Sequence, residues 1–192
     1  MPLRAAAREL RWVPKRGIGK RDLTAAAAAT RTGPVEAARA YASRGNDARQ
    51  AAAANMGMNI DAEEQDRLVI SLKVIQAVLS DPSLAGWDGF GVVVQAYGKR
   101  AGQTIDWLYE TATRLDRRIM VRLVKGAYWD TEMKRAQVEG HPGFPLFTAK
   151  AATDVSYIAN ARKLIGMADR IYPQFATHNA HTVAAILHMA GD

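Results

Sequence analysis

Apolar positions in this chain form short runs that alternate with stretches of helical period. From about Asp47 the order is "MGMNID", then a helix-like stretch from Ala62 to Leu79. "GFGVVVQAY" follows, then a helix from Gln103 to Leu115. "RIMVRLVKGAY" precedes helices between Thr131 and Met167, and "IYPQFATHN" precedes a helix from Thr182 to the end. Pro, Gly and Asp punctuate the joins, as in "SDPSLAGWDGFG". Strands and helices in strict alternation predict parallel strands joined by helical crossovers, an α/β fold. The strands read as continuous apolar runs, which predicts that both of their faces are covered.

Two architectures have this pattern, a (β/α)8 barrel and an open doubly wound sheet. A nucleotide-binding open sheet usually carries a Gly-rich turn after its first strand. None is present. Instead, each strand delivers polar residues at its C-terminal end: Asp61, Gln95, Lys125 with Tyr128, and Thr177-His178-Asn179. Chemistry at one end of successive strands is the signature of a barrel's active-site face. The predicted fold is a partial (β/α)8 barrel of about four consecutive βα units.

Residues 1–46 differ. They are rich in Ala and Arg and poor in large apolar residues, and the only helical period lies around Val35–Ala42. This predicts two parts, a basic segment 1–46 that is poorly ordered or weakly helical and a barrel portion 47–192. The net charge of +7 follows the same division. Residues 1–50 hold 11 Lys/Arg and 4 Asp/Glu, a balance of +7, and residues 51–192 hold 15 of each. The basic excess lacks base-reading motifs and interleaved aromatics, so nucleic acid is not the expected partner. The chain has no cysteine, which removes disulfides and thiol chemistry and suits a reducing cytoplasm. No run reaches the roughly 18 apolar residues of a membrane span, and charges interrupt the N-terminus where a signal-peptide core would lie.

The strand ends carry the candidate chemistry. Arg122, in the middle of an apolar strand, is either half of a structural ion pair or a fixed cation facing an electron-accepting group. Gly126 lets backbone approach a ligand closely. Tyr128 and Trp129 offer flat faces, or simply lid the core. Gln95 interrupts an apolar run, and a buried amide must be satisfied by backbone or by a ligand. Asp61 reads as a helix N-cap, with Glu63 and Glu64 in the first turn behind it. His178 and His181 lack a third ligand for a metal. Together the strand ends offer a cation, amides, hydroxyls and aromatics, with no serine elbow and no carboxylate pair placed for glycosidic chemistry. That inventory suits a planar, polar cofactor.

Five stretches occur in order: "NIDAEEQDRL", "VVVQAYGKR", "VRLVKGAYWDTEMKRAQVEG", "ATDVSYIANARKL" and "IYPQFATHNAHTVAAI". Over residues 51–192 the chain resembles the proline dehydrogenase domain of the bacterial bifunctional proline-utilisation flavoenzymes. The resemblance implies a distorted (β/α)8 barrel holding FAD. It implies oxidation of L-proline to Δ1-pyrroline-5-carboxylate, with a hydride passed to the flavin and electrons then to quinone. The implied setting is cytoplasmic, with peripheral contact at the inner membrane face. Matched by motif, Arg122 lies near the flavin N5, and Gln95 meets the pyrimidine edge of the ring. Val124, Lys125, Gly126 and Ala127 line the cofactor, with Trp129 on its adenine side. Thr148, Lys150 and Thr153, then Ala176, Thr177, His178 and Asn179, hold the pyrophosphate, ribose or ring edge. Asp61, Leu123 and Tyr128 shape the proline pocket, and Arg122, Tyr128 and Asp61 are the residues expected at the reaction itself.

The chain also departs from that family. The family continues past the point corresponding to "HMAGD" with two strands and a helix bearing an arginine pair that grips the proline carboxylate. Residues before Asn55 lack the family's pocket lysine in a "KLSAL"-like stretch. Ala149 in "FTAKAATD" stands where larger or basic residues are usual, which removes a phosphate contact. The Ala/Arg-rich start has the composition that out-of-frame reading of GC-rich coding sequence produces, an origin that an intact single frame in related loci would exclude. A half-barrel leaves sheet edges open, which predicts self-association. The alternative reading from the sequence is therefore a catalytically inactive remnant that at most binds flavin.

Overall fold

A computed structural model describes residues 34–191, with side chains from residue 42 onward. Helix α1 (Pro34–Ala53) is followed by β1 (Met58–Ile60), α2 (Leu68–Leu79), a 3-10 turn (Pro82–Leu84) and β2 (Phe90–Gln95). Then come α3 (Ala101–Arg114), β3 (Ile119–Val124), α4 (Trp129–Val138), α5 (Lys150–Ile165), β4 (Ile171–Phe175) and α6 (Ala180–Ala190). For residues 1–33 the expectation of a poorly ordered basic segment falls outside the described residues. The composition break at 46/47 is not a break in structure. Helix α1 runs unbroken through it, with proline at its first position, where the missing N–H costs nothing.

The four strands form one parallel sheet in the order β1-β2-β3-β4. A doubly wound sheet reverses direction at a switch point. This one does not, and helices α2, α3, α5 and α6 bury their apolar residues in one cluster with one face of the sheet. The core lies between that face and the helices. Phe90, Ile105, Leu108, Ile119, Leu123, Tyr157, Leu164 and Ile171 are all fully buried there. Strands β1 and β4 are the edges, and Pro173 in β4 is tolerated because an edge strand can spare a ladder donor.

The expectation of strands covered on both faces holds for β2, which is buried throughout, and fails for β3. In β3 burial alternates: Ile119, Val121 and Leu123 face the helices, while Met120, Arg122 and Val124 are half exposed on the other side. That second face is the concave side of a partial barrel. Helix α2 also starts six residues later than its pattern predicts. Residues 61–67 are held instead by tertiary bonds. The Gln65 N–H donates to the buried Glu132 carboxylate, and Arg135 pairs with Asp66. Glu63 and Glu64 therefore do not sit in a helical first turn. Among the described residues no helix is long and apolar enough to cross a membrane.

Candidate functional site

The C-terminal ends of the strands open into one cleft of about 730 Å³. β1 sends Asp61 to it, β2 sends Gln95, and β3 sends Arg122 and Val124 followed by the turn Lys125-Gly126-Ala127-Tyr128. β4 adds Ala176, Thr177, His178 and Asn179. Most of the residues expected from sequence are thus brought together. Parallel strands in register explain why, since all four end at one level of the sheet.

Asp61 and Arg122 meet in this cleft. Arg122 Nη2 donates to Asp61 Oδ1 at 2.8 Å, with the two side chains 38% and 79% exposed. Asp61 is therefore not an N-cap, because no helix follows it directly. The pair is open to solvent, so its own contribution to stability is small. Its significance is positional, a permanent cation at the floor of the cleft with an acid beside it.

Gln95 is buried and satisfied by backbone on both sides. Its Nε2 donates to the Glu63 carbonyl at 2.9 Å, and its Oε1 accepts from Ala127 N–H at 3.0 Å. It ties the loop after β1 to the turn after β3. Asn179 is the N-cap of α6, its side chain accepting from Thr182 N–H at 3.0 Å, and its own N–H donates to Thr177 Oγ1 at 3.1 Å. His178 lines the cleft and is exposed. Among the described residues no cluster of three or more His, Asp or Glu could hold a metal.

Lys125 lines the cleft while its ammonium pairs with Asp154, which Lys150 also reaches at 2.7 Å. The hydrogen bonds from Lys125, then from Lys150, hold the Asp154 carboxyl below its usual range. Asp154 belongs to none of the strand ends that carry the predicted chemistry, although its place four residues after Lys150 on a helix is an ion-pair spacing.

Five expected residues lie outside the cleft wall. Leu123 is a correction: its side chain is fully buried on the helix side of β3, because residues along a strand alternate faces. It can shape a pocket only through its backbone. Trp129 is 41% exposed and its Nε1 donates to the Phe147 carbonyl at 2.9 Å. Thr148 and Lys150 are exposed on the flank, and Thr153 is buried in α5.

Two residues not expected from the sequence are structurally central. Tyr97 is buried, which pushes its phenol up to about 12, and its Oη accepts from Tyr128 N–H at 3.2 Å. The signal was its place in the run "GFGVVVQAY", two residues after Gln95. Glu132, in α4, is buried, and burial raises its carboxyl above the ordinary glutamate range. A carboxyl raised on folding binds its proton more tightly in the native state. Its contribution is full below the unfolded value near 4.5 and is lost as pH rises through the folded value. Glu132→Gln should therefore raise Tm at pH 7 by about 2–4 °C, the shift that roughly 1 kcal/mol produces at this size. The gain should vanish below pH 4.5, and thermal melts from pH 4 to pH 8 read it directly. An equal gain at every pH would assign the effect to something other than this carboxyl.

The cleft thus presents a guanidinium, an ammonium, an imidazole, hydroxyls and backbone N–H groups, with Asp61 as the acid in its wall. Such a donor set suits a planar, electron-poor group carrying anionic substituents.

Comparison with known proteins agrees with this geometry. Residues 36–192 match the family described as proline dehydrogenase. The chain is 59% identical over 137 residues to the bifunctional protein PutA of Salmonella typhimurium, covering 71% of this chain and 10% of that protein. It is 56% identical over 138 residues to PutA of Rhizobium meliloti, covering 71% and 11%. A crystal structure of a mutant PutA from Bradyrhizobium japonicum superposes with a TM-score of 0.78 at 54% identity, over 81% of this chain and 16% of that one. PutA from Bdellovibrio bacteriovorus, inactivated by N-propargylglycine, gives 0.71 at 34% identity, over 74% and 15%. The chain spans about a tenth of the length of the curated relatives it matches. The sequential parallel sheet, the polar strand ends gathered at one cleft and a family match from residue 36 onward agree, and the chain belongs to the proline dehydrogenase family.

Proposed function

We propose that this chain carries the part of an FAD-dependent proline dehydrogenase that holds the flavin ring and one wall of the substrate pocket. The reaction would convert L-proline to Δ1-pyrroline-5-carboxylate, with electrons passed on to quinone at the inner membrane face. The observation that carries this reading is the placement of the Arg122–Asp61 pair, the Lys125–Tyr128 turn and the 176–179 segment around one cleft.

When bound, the flavin supplies the acceptor for the hydride that leaves the proline ring. Every other role falls to the chain. Arg122 provides a guanidinium where negative charge on a reduced ring needs stabilising. Lys125, Gly126 and Ala127 form the turn against which the ring would rest, and Val124 supports it from β3. Gln95 acts through the backbone it clamps. Thr177, His178 and Asn179 face the opposite rim, and Trp129, Thr148, Lys150 and Thr153 stand on the flank where the phosphate and adenine portion would extend. Asp61 and Tyr128 border the space left for proline.

A second reading, that the cleft holds flavin without turning over proline, is favoured by one observation. Both cations lining the cleft already face carboxylates, Arg122 with Asp61 and Lys125 with Asp154. A proline carboxylate would have to compete for them.

The test is the visible absorbance spectrum of the purified chain, before and after L-proline in the absence of oxygen. A flavin spectrum that bleaches supports the dehydrogenase. An unchanged flavin spectrum selects the second reading, and folded protein without flavin overturns both.

A further inference from the structure

Tyr97 touches the turn after β3 at three of its residues, Lys125, Gly126 and Tyr128. Its N–H donates to the Lys125 carbonyl at 2.8 Å. Its ring lies against Gly126, so closely that a Cβ there would fall 2.3–2.4 Å from three ring carbons. Its hydroxyl accepts from Tyr128 N–H at 3.2 Å. The Ala127 N–H of the turn donates to the side chain of Gln95, two residues before Tyr97. Tyr97 also reaches the other flank, because its carbonyl accepts from Phe147 N–H at 2.9 Å, and the Phe147 carbonyl receives Trp129 Nε1. Buried as it is, Tyr97 does not line the cleft.

We propose that Tyr97 is the positioning residue of this site, fixing Tyr128 and the Lys125–Ala127 backbone against the cleft without touching substrate or flavin itself. A turn with no regular secondary structure has no ladder to hold it. Its geometry must come from side chains and neighbouring backbone, and here Tyr97 and Gln95 supply both. The hydroxyl is the separable part. The ring fills space and the backbone bonds survive substitution, but the Tyr128 amide loses its partner when the hydroxyl is removed.

The inference about catalysis rests on the proline dehydrogenase reading, whereas the inference about the turn does not. The test is Tyr97→Phe in the full chain, with residue-resolved amide hydrogen exchange and proline oxidation measured side by side. Exchange of the Tyr128 amide should accelerate at least about fivefold, the scale of one lost hydrogen bond, with β2 and β3 unchanged. KM for L-proline should rise about tenfold while kcat stays within about twofold, because uniform binding is lost rather than an interaction made only in the transition state. A Tyr128 amide that exchanges no faster than in the unsubstituted protein overturns the proposal. So does a uniform rise in exchange across β2 and β3, which would mark a merely structural role. If the unsubstituted chain oxidises no proline, the functional reading fails by itself and the exchange comparison decides the role of Tyr97.

Discussion

Gly126→Ala should cost the domain about 2–4 kcal/mol and release the turn after β3. Two effects add. Gly126 has φ of +146°, a backbone conformation that side chains rarely adopt. An added methyl would also overlap the Tyr97 ring at 2.3–2.4 Å, and that ring cannot withdraw, since it is buried and its hydroxyl and backbone are both engaged. Gly86→Ala is the control. Gly86 has φ of +77°, and nothing lies within 4 Å of the point its added methyl would occupy, so it isolates the backbone effect, about 1 kcal/mol. Urea denaturation of both variants would measure the difference. Equal small losses would mean that the turn yields easily and that Tyr97 does not pin it.

On the flavin-dependent dehydrogenase reading proposed above, Arg122→Met should slow the anaerobic reduction of flavin by L-proline about 100-fold or more, while leaving the fold intact. The side chain is 38% exposed, and Asp61 is 79% exposed, so removing the cation strands no buried charge. Methionine keeps much of the aliphatic length that packs beside Val124. What disappears is the one cation supplied from within β3. Asp61→Asn separates the two members of the pair. If the cation matters by itself, Asp61→Asn should change the rate far less than Arg122→Met. Stopped-flow flavin reduction reads both variants. A rate within about threefold of the unsubstituted chain for Arg122→Met would show that the guanidinium is a structural partner of Asp61 and nothing more.

The strand pattern brought its polar residues to one cleft because residues at the ends of parallel strands converge wherever the strands share a register. Asp61, Gln95, Arg122, the Lys125–Tyr128 turn and residues 176–179 needed only that argument. Leu123 was misplaced because spacing within a motif says nothing about which face a side chain takes until the strand's orientation is known. The start of α2 was misplaced for a different reason. Residues 62–67 have acceptable helical composition, but Gln65 N–H and Asp66 are held by Glu132 and Arg135 from α4. Local propensity is a weak preference that such tertiary bonds override.

The sequence by itself determined the α/β alternation and the set of polar groups at the strand ends. These follow from hydrophobic period and from residue identity, both local properties of the chain. Only the tertiary structure decided how those groups are paired. Arg122 meets Asp61 across 61 residues, Lys125 meets Asp154 across 29, and Tyr97 meets Tyr128 across 31. Partners so far apart in sequence leave no periodic trace, because nothing local records which side chains a folded sheet will bring within a hydrogen bond of one another.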